Sequence, residues 1–329
     1  MQVEPLVSII VNTTGKRLNI LERLLQSLAE QSFRNFDVIV ACETNRDSIY
    51  TLCRKYGLKC KVIQTGFWNR CRTANVAIRA SKGKYVALLE DDLVLDRSWL
   101  ENMMKALMRL SESGVVCVYS NLINIFGSES LAYKTHGRLF KKFIEYVNML
   151  RVHNSIKRKR ITVFSLSFIC RKDVLFKAGL FDPIPEEPIV GEDYDLAIRI
   201  NKLGYRITTV KEAITYHYSQ HYNRRIDFIR KGKFSLWEEL TANEVYMFAK
   251  HIDIFGIATL FHVLFKIIFE PLNIAIRLKL RPHKLFKVFL YTFRGTITGL
   301  VRGVLMSSHT RMLRRCDKSQ NRSLLVEQT

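Results

Sequence analysis

Lys84-Tyr85-Val86-Ala87-Leu88-Leu89-Glu90-Asp91-Asp92 decides how this chain is read. Tyr85 to Leu89 is an unbroken apolar run of strand length, and it ends in three carboxylates. A continuous apolar run of this kind suits a strand buried on both faces. Carboxylates at its end present hard oxygen ligands at a fixed edge, where a divalent cation can hold a diphosphate. A solvated turn also accounts for an acidic triplet standing alone, so the surroundings have to decide. A second acidic cluster, Gly191-Glu192-Asp193-Tyr194-Asp195, opens a helical pattern further along the chain. One cluster for a metal and one for a base suggests group transfer from a nucleotide-activated donor.

Outward from this stretch, strands alternate with helices. Leu6-Val7-Ser8-Ile9-Ile10-Val11 reads as a buried strand, and Asn12-Thr13-Thr14-Gly15 turns the chain. From Leu18 to Gln31 the residues Leu21, Leu24, Leu25 and Leu28 recur at helical spacing. Phe36 to Ala41 is the second strand and Asp47 to Tyr56 the second helix. Lys61-Val62-Ile63 is a short third strand, Arg72 to Ser81 a third helix, and Tyr85 to Leu89 the fourth strand. This order predicts βαβ units and a mostly parallel sheet flanked by helices, an α/β fold. Ligands of such sheets bind beyond the carboxyl ends of the strands, where Thr13, Glu43 and the acidic triplet fall.

Composition narrows the classes. The chain has 329 residues, 48% hydrophobic and 25% charged, which is the balance of a folded protein. Its net charge of +22 calls for an anionic partner: nucleic acid, anionic lipid or a phosphorylated substrate. No zinc-finger pattern, RNP motif or helix-turn-helix cue accompanies that charge, so nucleic acid is not expected. Cys42, Cys53, Cys60, Cys71, Cys117, Cys170 and Cys316 are scattered and odd in number, with no CxxC pair. They read as reduced thiols in a cytosolic setting. The N-terminus enters a strand pattern without a signal-peptide n-region, which sets the expected catalytic part inside the cell.

The order and spacing of several motifs together resemble the family 2 glycosyltransferases of the GT-A (Rossmann-like) fold. The motifs are Val7 to Val11, Leu24 to Phe33, Phe36 to Val40, Ala74-Asn75, and Gly83 to Asp92. The resemblance runs from about Val7 to about His217. It implies that Thr13 and Glu43 hold the nucleotide base and ribose. The family more often has two aspartates where this chain has Cys42-Glu43, which leaves the nucleotide open. The triplet resembles the family's DXD-type element, with Asp92 as metal ligand and Asp91 or Glu90 on ribose or metal. The resemblance also implies Asp193 as the base that deprotonates an acceptor hydroxyl, with Glu192 beside it on acceptor or donor hydroxyls. Asp195 reads as a helix N-terminal charge. His217 matches the place where some members use a histidine as a further metal ligand, and manganese or magnesium is the cation implied; His221 is a weaker candidate. Arg70 and Arg72 precede the third helix and could reach phosphate oxygens. Arg72 would replace an arginine that relatives carry next to Asn75, itself a donor-site residue.

The C-terminal third reads as helices. His262, Lys266, Glu270, Asn273 and Arg277 share one helical face, and Lys284, Lys287, Tyr291, Arg294, Thr298 and Arg302 share another. Such stripes opposite apolar faces suit helices lying in a membrane interface, with the basic side chains on anionic headgroups. The apolar run from Ile254 to Ile276 is interrupted by Pro271, and a spanning or re-entrant segment stays open. The basic stretch Arg151 to Arg160 would suit a phosphorylated or lipid-diphosphate acceptor.

These readings predict a catalytic domain over residues 1–220, with a nucleotide-sugar part to about 120 and an acceptor part after it. A helical, membrane-associating region follows over 221–310, then a polar tail over 311–329. The expected activity is metal-dependent inverting transfer from a nucleotide-diphosphate sugar to a lipid-linked or cell-surface glycan, at the cytoplasmic face of the cell membrane. The alternatives are a polyprenyl-phosphate monosaccharide transferase and a non-catalytic basic protein that binds lipid or nucleic acid.

Overall fold

Strand β1 (Val7–Thr13), rich in β-branched residues, is buried along its whole length, which places it inside the sheet. The computed structural model describes residues 4–125, 167–187, 189–218 and 228–326. Arg151 to Arg160 and His221 lie outside them. The chain divides into two units, Met1–Pro185 with Glu192–Tyr222, and Glu186–Gly191 with Asn223–Thr329.

In the first unit β1 is followed by α1 (Leu18–Ala29), β2 (Phe36–Cys42), α2 (Arg46–Lys55), β3 (Cys60–Gln64), α3 (Arg70–Ala80) and β4 (Tyr85–Glu90). The four predicted leucines of α1 are all buried in the core under β1 and β2. Then come β5 (Leu93–Leu95), α4 (Trp99–Arg109), β6 (Val115–Ile125), β7 (Phe168–Arg171), α5 (Lys172–Lys177), α6 (Glu192–Lys202) and β8 (Arg206–Tyr218). The strand order is β3-β2-β1-β4-β7-β6-β8-β5. Strands β3, β2, β1 and β4 are parallel, so the winding reverses between β1 and β4, and a crevice opens beyond their carboxyl ends.

The sheet is mixed, with four of its seven strand pairings among the described residues parallel, so mostly parallel as the sequence suggests. Strand β7 runs antiparallel between β4 and β6, and β5 antiparallel to β8. Hydrophobic runs report burial and not strand direction, so the reversal leaves no periodic signature. The fold also pairs thiols that are scattered in sequence. Cys53 Sγ lies 2.7 Å from Cys60 Sγ, and Cys117 faces Cys170 across β6 and β7. Among the described residues these cysteines are free thiols.

The second unit contains α7 (Phe234–Lys250), α8 (Ile252–Phe255), α9 (Ile257–Leu264), a π-helical turn (Phe265–Phe269), α10 (Glu270–Leu278) and α11 (Pro282–Val326). The π turn comes just ahead of Pro271, which lacks an amide hydrogen, so the widened turn absorbs the break in the helical ladder. Helix α11 continues through Val326 and takes in most of the polar tail expected from residue 311. One expectation changes here. The stripe of His262, Lys266 and Glu270 does not point to headgroups: His262 stacks on Phe248, and Lys266 is buried between Glu244 and Glu270.

Candidate active site

The turn after β1 sets the first wall. Gly15 has φ +77°, and a Cβ there would stand 2.2 Å from the Thr44 carbonyl oxygen, so a side chain has no room. The tight turn brings the Gly15 amide onto Thr13 Oγ1 at 3.0 Å. The Thr13 hydroxyl in turn donates to Asp91 Oδ2 at 2.6 Å. Arg17, four residues further on, donates through Nη2 to Asp91 Oδ1 and holds Nη1 3.7 Å from Asp92 Oδ2. Burial pushes the Asp91 carboxyl up, against the pull of Thr13 and Arg17.

Asp92 is placed by backbone pairing. Its carbonyl accepts from the Tyr218 amide at 2.9 Å, and β5 lies antiparallel to β8 with Leu93 opposite His217. His217 Nε2 therefore stands 3.5 Å from Asp92 Oδ1, an oxygen that is buried with no well-formed hydrogen bond. Burial opposes ionisation of Asp92, but His217, Arg17 and Arg70 together keep its carboxyl below the usual range.

Arg70 joins the two acidic clusters. Its Nη1 lies 2.7 Å from Glu90 Oε1 at the end of β4 and 2.9 Å from Glu192 Oε1 at the start of α6. Local capping fixes the arginine. Asn69 Oδ1 accepts from the Arg72 amide at 3.0 Å, the cap of α3, while Asn12 Nδ2 donates to the Arg70 carbonyl at 3.2 Å. Burial raises Glu90 to about 7; Arg70 opposes the shift, and Asp92 and Glu192 reinforce it. Asp193 is pushed well above the ordinary carboxylate range, first by burial and then by the charge of Glu192. Its Oδ1 accepts from the Tyr194 amide at 2.9 Å, which fixes its orientation.

Asn12, Arg70, Glu90, Glu192 and Asp193 line one cleft with Ala74, Leu88, Leu89, Phe168 and Phe181. Apolar walls with a few convergent charged groups are the usual make-up of a small-molecule site.

Other expected residues have different partners. Glu43 follows β2 and pairs with Lys16 at 2.9 Å, on the rim. Arg72 donates through Nε to the Pro183 carbonyl at 3.2 Å. Asn75 donates to the Phe181 carbonyl at 2.8 Å and accepts from its amide at 2.9 Å, so both ends of the side chain hold the 181 loop onto α3. Asp195 stands in the first turn of α6, as expected of a helix-start charge, and there it is buried and accepts from Arg199 Nε at 2.9 Å and Nη2 at 2.7 Å. Sequence reasoning passed over Arg17. Its signal was available, as a cation in the turn after β1 at the sheet edge that carries the triplet.

Glu90, Asp92 and His217 do not converge as a set of three. Among the described residues no group of three His, Cys, Asp or Glu side chains is placed to hold an ion alone. Asp92 Oδ1 and His217 Nε2 do face each other, an oxygen and an imidazole nitrogen that together suit manganese, while magnesium would use the carboxylate oxygen. A cation bound through few side chains, with phosphate oxygens completing its shell, is the ordinary arrangement for magnesium.

The family model described as glycosyl transferase family 2 matches residues 8–175, more than half of the chain. The chain belongs to glycosyl transferase family 2. Among its relatives is the uncharacterized glycosyltransferase RP339 of Rickettsia prowazekii (strain Madrid E), 28% identical over 58% of this chain and 57% of that protein. The chain thus spans little more than half of that relative's length. The amylovoran biosynthesis glycosyltransferase AmsB of Erwinia amylovora is 26% identical over 68% of this chain and 75% of its own length. Among solved structures, the mannosyltransferase PcManGT of Pyrobaculum calidifontis, in complex with GDP-Man and Mn2+, superposes with a TM-score of 0.55. That match covers 91% of this chain and 88% of PcManGT at 18% identity, a likeness of fold. The family 2 chain thus carries a GT-A-like mixed sheet, with the acidic triplet at its carboxyl edge.

Proposed function

We propose that this family 2 chain transfers a sugar from a nucleotide-diphosphate donor, with inversion, to a glycan or lipid-linked acceptor. One observation carries the reading: Arg70 ties the strand-end carboxylates to the helix-start carboxylates, and so sets them with Asp193 around one cleft. The GDP-Man and Mn2+ in the complex of PcManGT, a protein of like fold, agree with a donor of this class.

Asp92 and His217 would hold a divalent cation, manganese or magnesium. When bound, the ion supplies a Lewis acid that offsets charge on the leaving diphosphate. The chain's own residues do the remainder. Thr13 and Arg17 hold Asp91 in the orientation needed to meet the donor's ribose or the ion's shell. The Asp193 carboxylate accepts the proton of the attacking acceptor hydroxyl; its raised pKa strengthens it as a base once it is ionised. Phe168 and Phe181 wall the cleft and limit water there.

The acceptor is a lipid-linked or cell-surface glycan at the cytoplasmic face of a membrane. Its support is the named role of AmsB in amylovoran biosynthesis and the apolar surface of the second unit. The test is nucleoside-diphosphate release from a panel of nucleotide sugars, with manganese or magnesium and a membrane lipid extract, in wild type and Asp92→Ala. Release from one donor that needs both the ion and Asp92 supports the reading. Release that ignores chelator and the substitution overturns the metal assignment.

A further inference from the structure

The second unit has its polarity reversed. Helix α7 is buried along most of its length, and the helices around it turn polar groups towards it. Thr259, His262 and Lys266 on the α9–π segment meet the Phe248 carbonyl, the Phe248 ring and Glu244, so this segment runs antiparallel to α7. Lys266 is only 4% exposed and its ammonium is held by Glu244 and Glu270. Thr292 and Thr296 on α11 are fully buried, and Thr292 accepts from the Trp237 indole at 2.9 Å.

Two outward faces of the unit are apolar. From Ile257 to Leu272 every exposed side chain that the structure describes is apolar, with Phe261 64% exposed. On α11, Phe286, Leu290, Phe293, Ile297, Val301 and Val304 recur every three or four residues, all exposed. An exposed apolar surface of this extent is rare on water-soluble monomers.

Helix packing in the unit follows the same rule. Gly295, Gly299 and Gly303 of α11 sit against α7, and a Cβ on them would lie 2.4 Å from the Glu238 carbonyl oxygen, 2.3 Å from that of Ala242 and 2.5 Å from Ala249 Cβ. Small residues every fourth position that let two backbones touch are the packing device of helices in lipid, where burial of apolar surface gives no drive. The stretch Thr259–Ile276 has a mean hydropathy of 1.5 over 18 residues with 22% of it buried. At about 1.5 Å per residue it is about 27 Å long, against a hydrocarbon core of about 30 Å. Exposed Lys279 and Arg281 follow at the turn into α11, where headgroups would receive them.

We infer that the apolar faces of α9–α10 and α11 are embedded in the acyl chains of a phospholipid bilayer, with Lys266 paired to Glu244 and Glu270 in the interior of the unit. The inference rests on the membrane location proposed above and deepens it: the contact is with hydrocarbon, and the basic stripe is not the adhesive. Arg294 and Arg302 on that stripe lie against Glu238 and Glu239 of α7. Acyl chains offer no hydrogen-bond partner, and the outward side chains from Ile257 to Leu272 ask for none.

The test uses the full chain and flotation with vesicles of pure phosphatidylcholine, or of phosphatidylcholine with equal phosphatidylglycerol. Floated samples are washed in high salt and then in alkaline carbonate. The expected result is flotation with both vesicle types that survives both washes. Phe261→Glu with Phe293→Glu, each on an outward face, is expected to lower the wash-resistant fraction at least tenfold with helix content by circular dichroism unchanged. Flotation only with the anionic vesicles, reversed by salt, overturns insertion and leaves a surface-bound enzyme. A lipid-free, water-soluble dimer that floats with neither vesicle overturns the membrane location itself, since a second copy then covers the apolar faces. The wild-type washes decide the matter even if the double variant misfolds.

Discussion

Asp193 and Glu192 are neighbours at the start of one helix, and both face a cleft that also holds Glu90. Ionising Asp193 there works against burial and against its neighbour's charge. Its pKa is raised in the folded state, so the folded protein favours the protonated form and loses stability as pH rises from the unfolded value through the folded one. Asp193→Asn is therefore expected to raise the Tm at pH 8 and to leave it unchanged at pH 4, while turnover is lost. The same shift places the acid limb of the kcat/KM profile above the usual carboxylate value of about 4. A limb at the usual value would show that another group is the base. Arg70→Ala removes the cation that two carboxylates share. A loss on the order of 2 kcal/mol is expected from urea unfolding at pH 8. The loss shrinks at pH 5, where Glu90, already raised to about 7, is protonated. The acids were legible in the sequence because they end a strand and open a helix. The bridging role of Arg70 was not, since it depends on partners far away in the chain.

At the scale of elements, α3 and the 181 loop are joined by the two hydrogen bonds of Asn75 to the Phe181 backbone. Asn75→Ala is expected to destabilise the first unit by about 1–3 kcal/mol, since two backbone groups lose their partner. Thermal unfolding with and without nucleotide separates this role from donor contact: equal losses in both conditions mark a structural latch. In the second unit, Gly299→Leu places a side chain where a Cβ alone would stand 2.3 Å from a carbonyl oxygen. It is expected to part α7 from α11 and cost several kcal/mol, read as early loss of helical signal on heating. The alternation of strands and helices up to β4 was legible because the period of apolar residues changes with the element. The antiparallel β7 was not, because strand direction leaves no trace in that period. The two polar stripes of the C-terminal helices were legible as stripes, but periodicity does not say which side meets the protein. Lys266 between Glu244 and Glu270 answers that for the first stripe, and the glycines of α11 for the second.

The molecule as a whole carries a net charge of +22, although in its cleft Glu90, Glu192 and Asp193 outnumber Arg70. That positive excess serves an anionic surface or substrate, consistent with a donor that carries a diphosphate and an acceptor held at a membrane. Chelation is expected to abolish transfer, and added manganese or magnesium to restore it. The central claim is that one cleft binds the donor and that Asp193 takes the acceptor's proton within it. Its most direct test pairs donor binding by calorimetry with turnover, both in Asp193→Asn, using whichever nucleotide sugar the panel identifies. The account predicts wild-type donor affinity with turnover reduced by about 10²-fold or more. Turnover near the wild-type rate in that variant would contradict it.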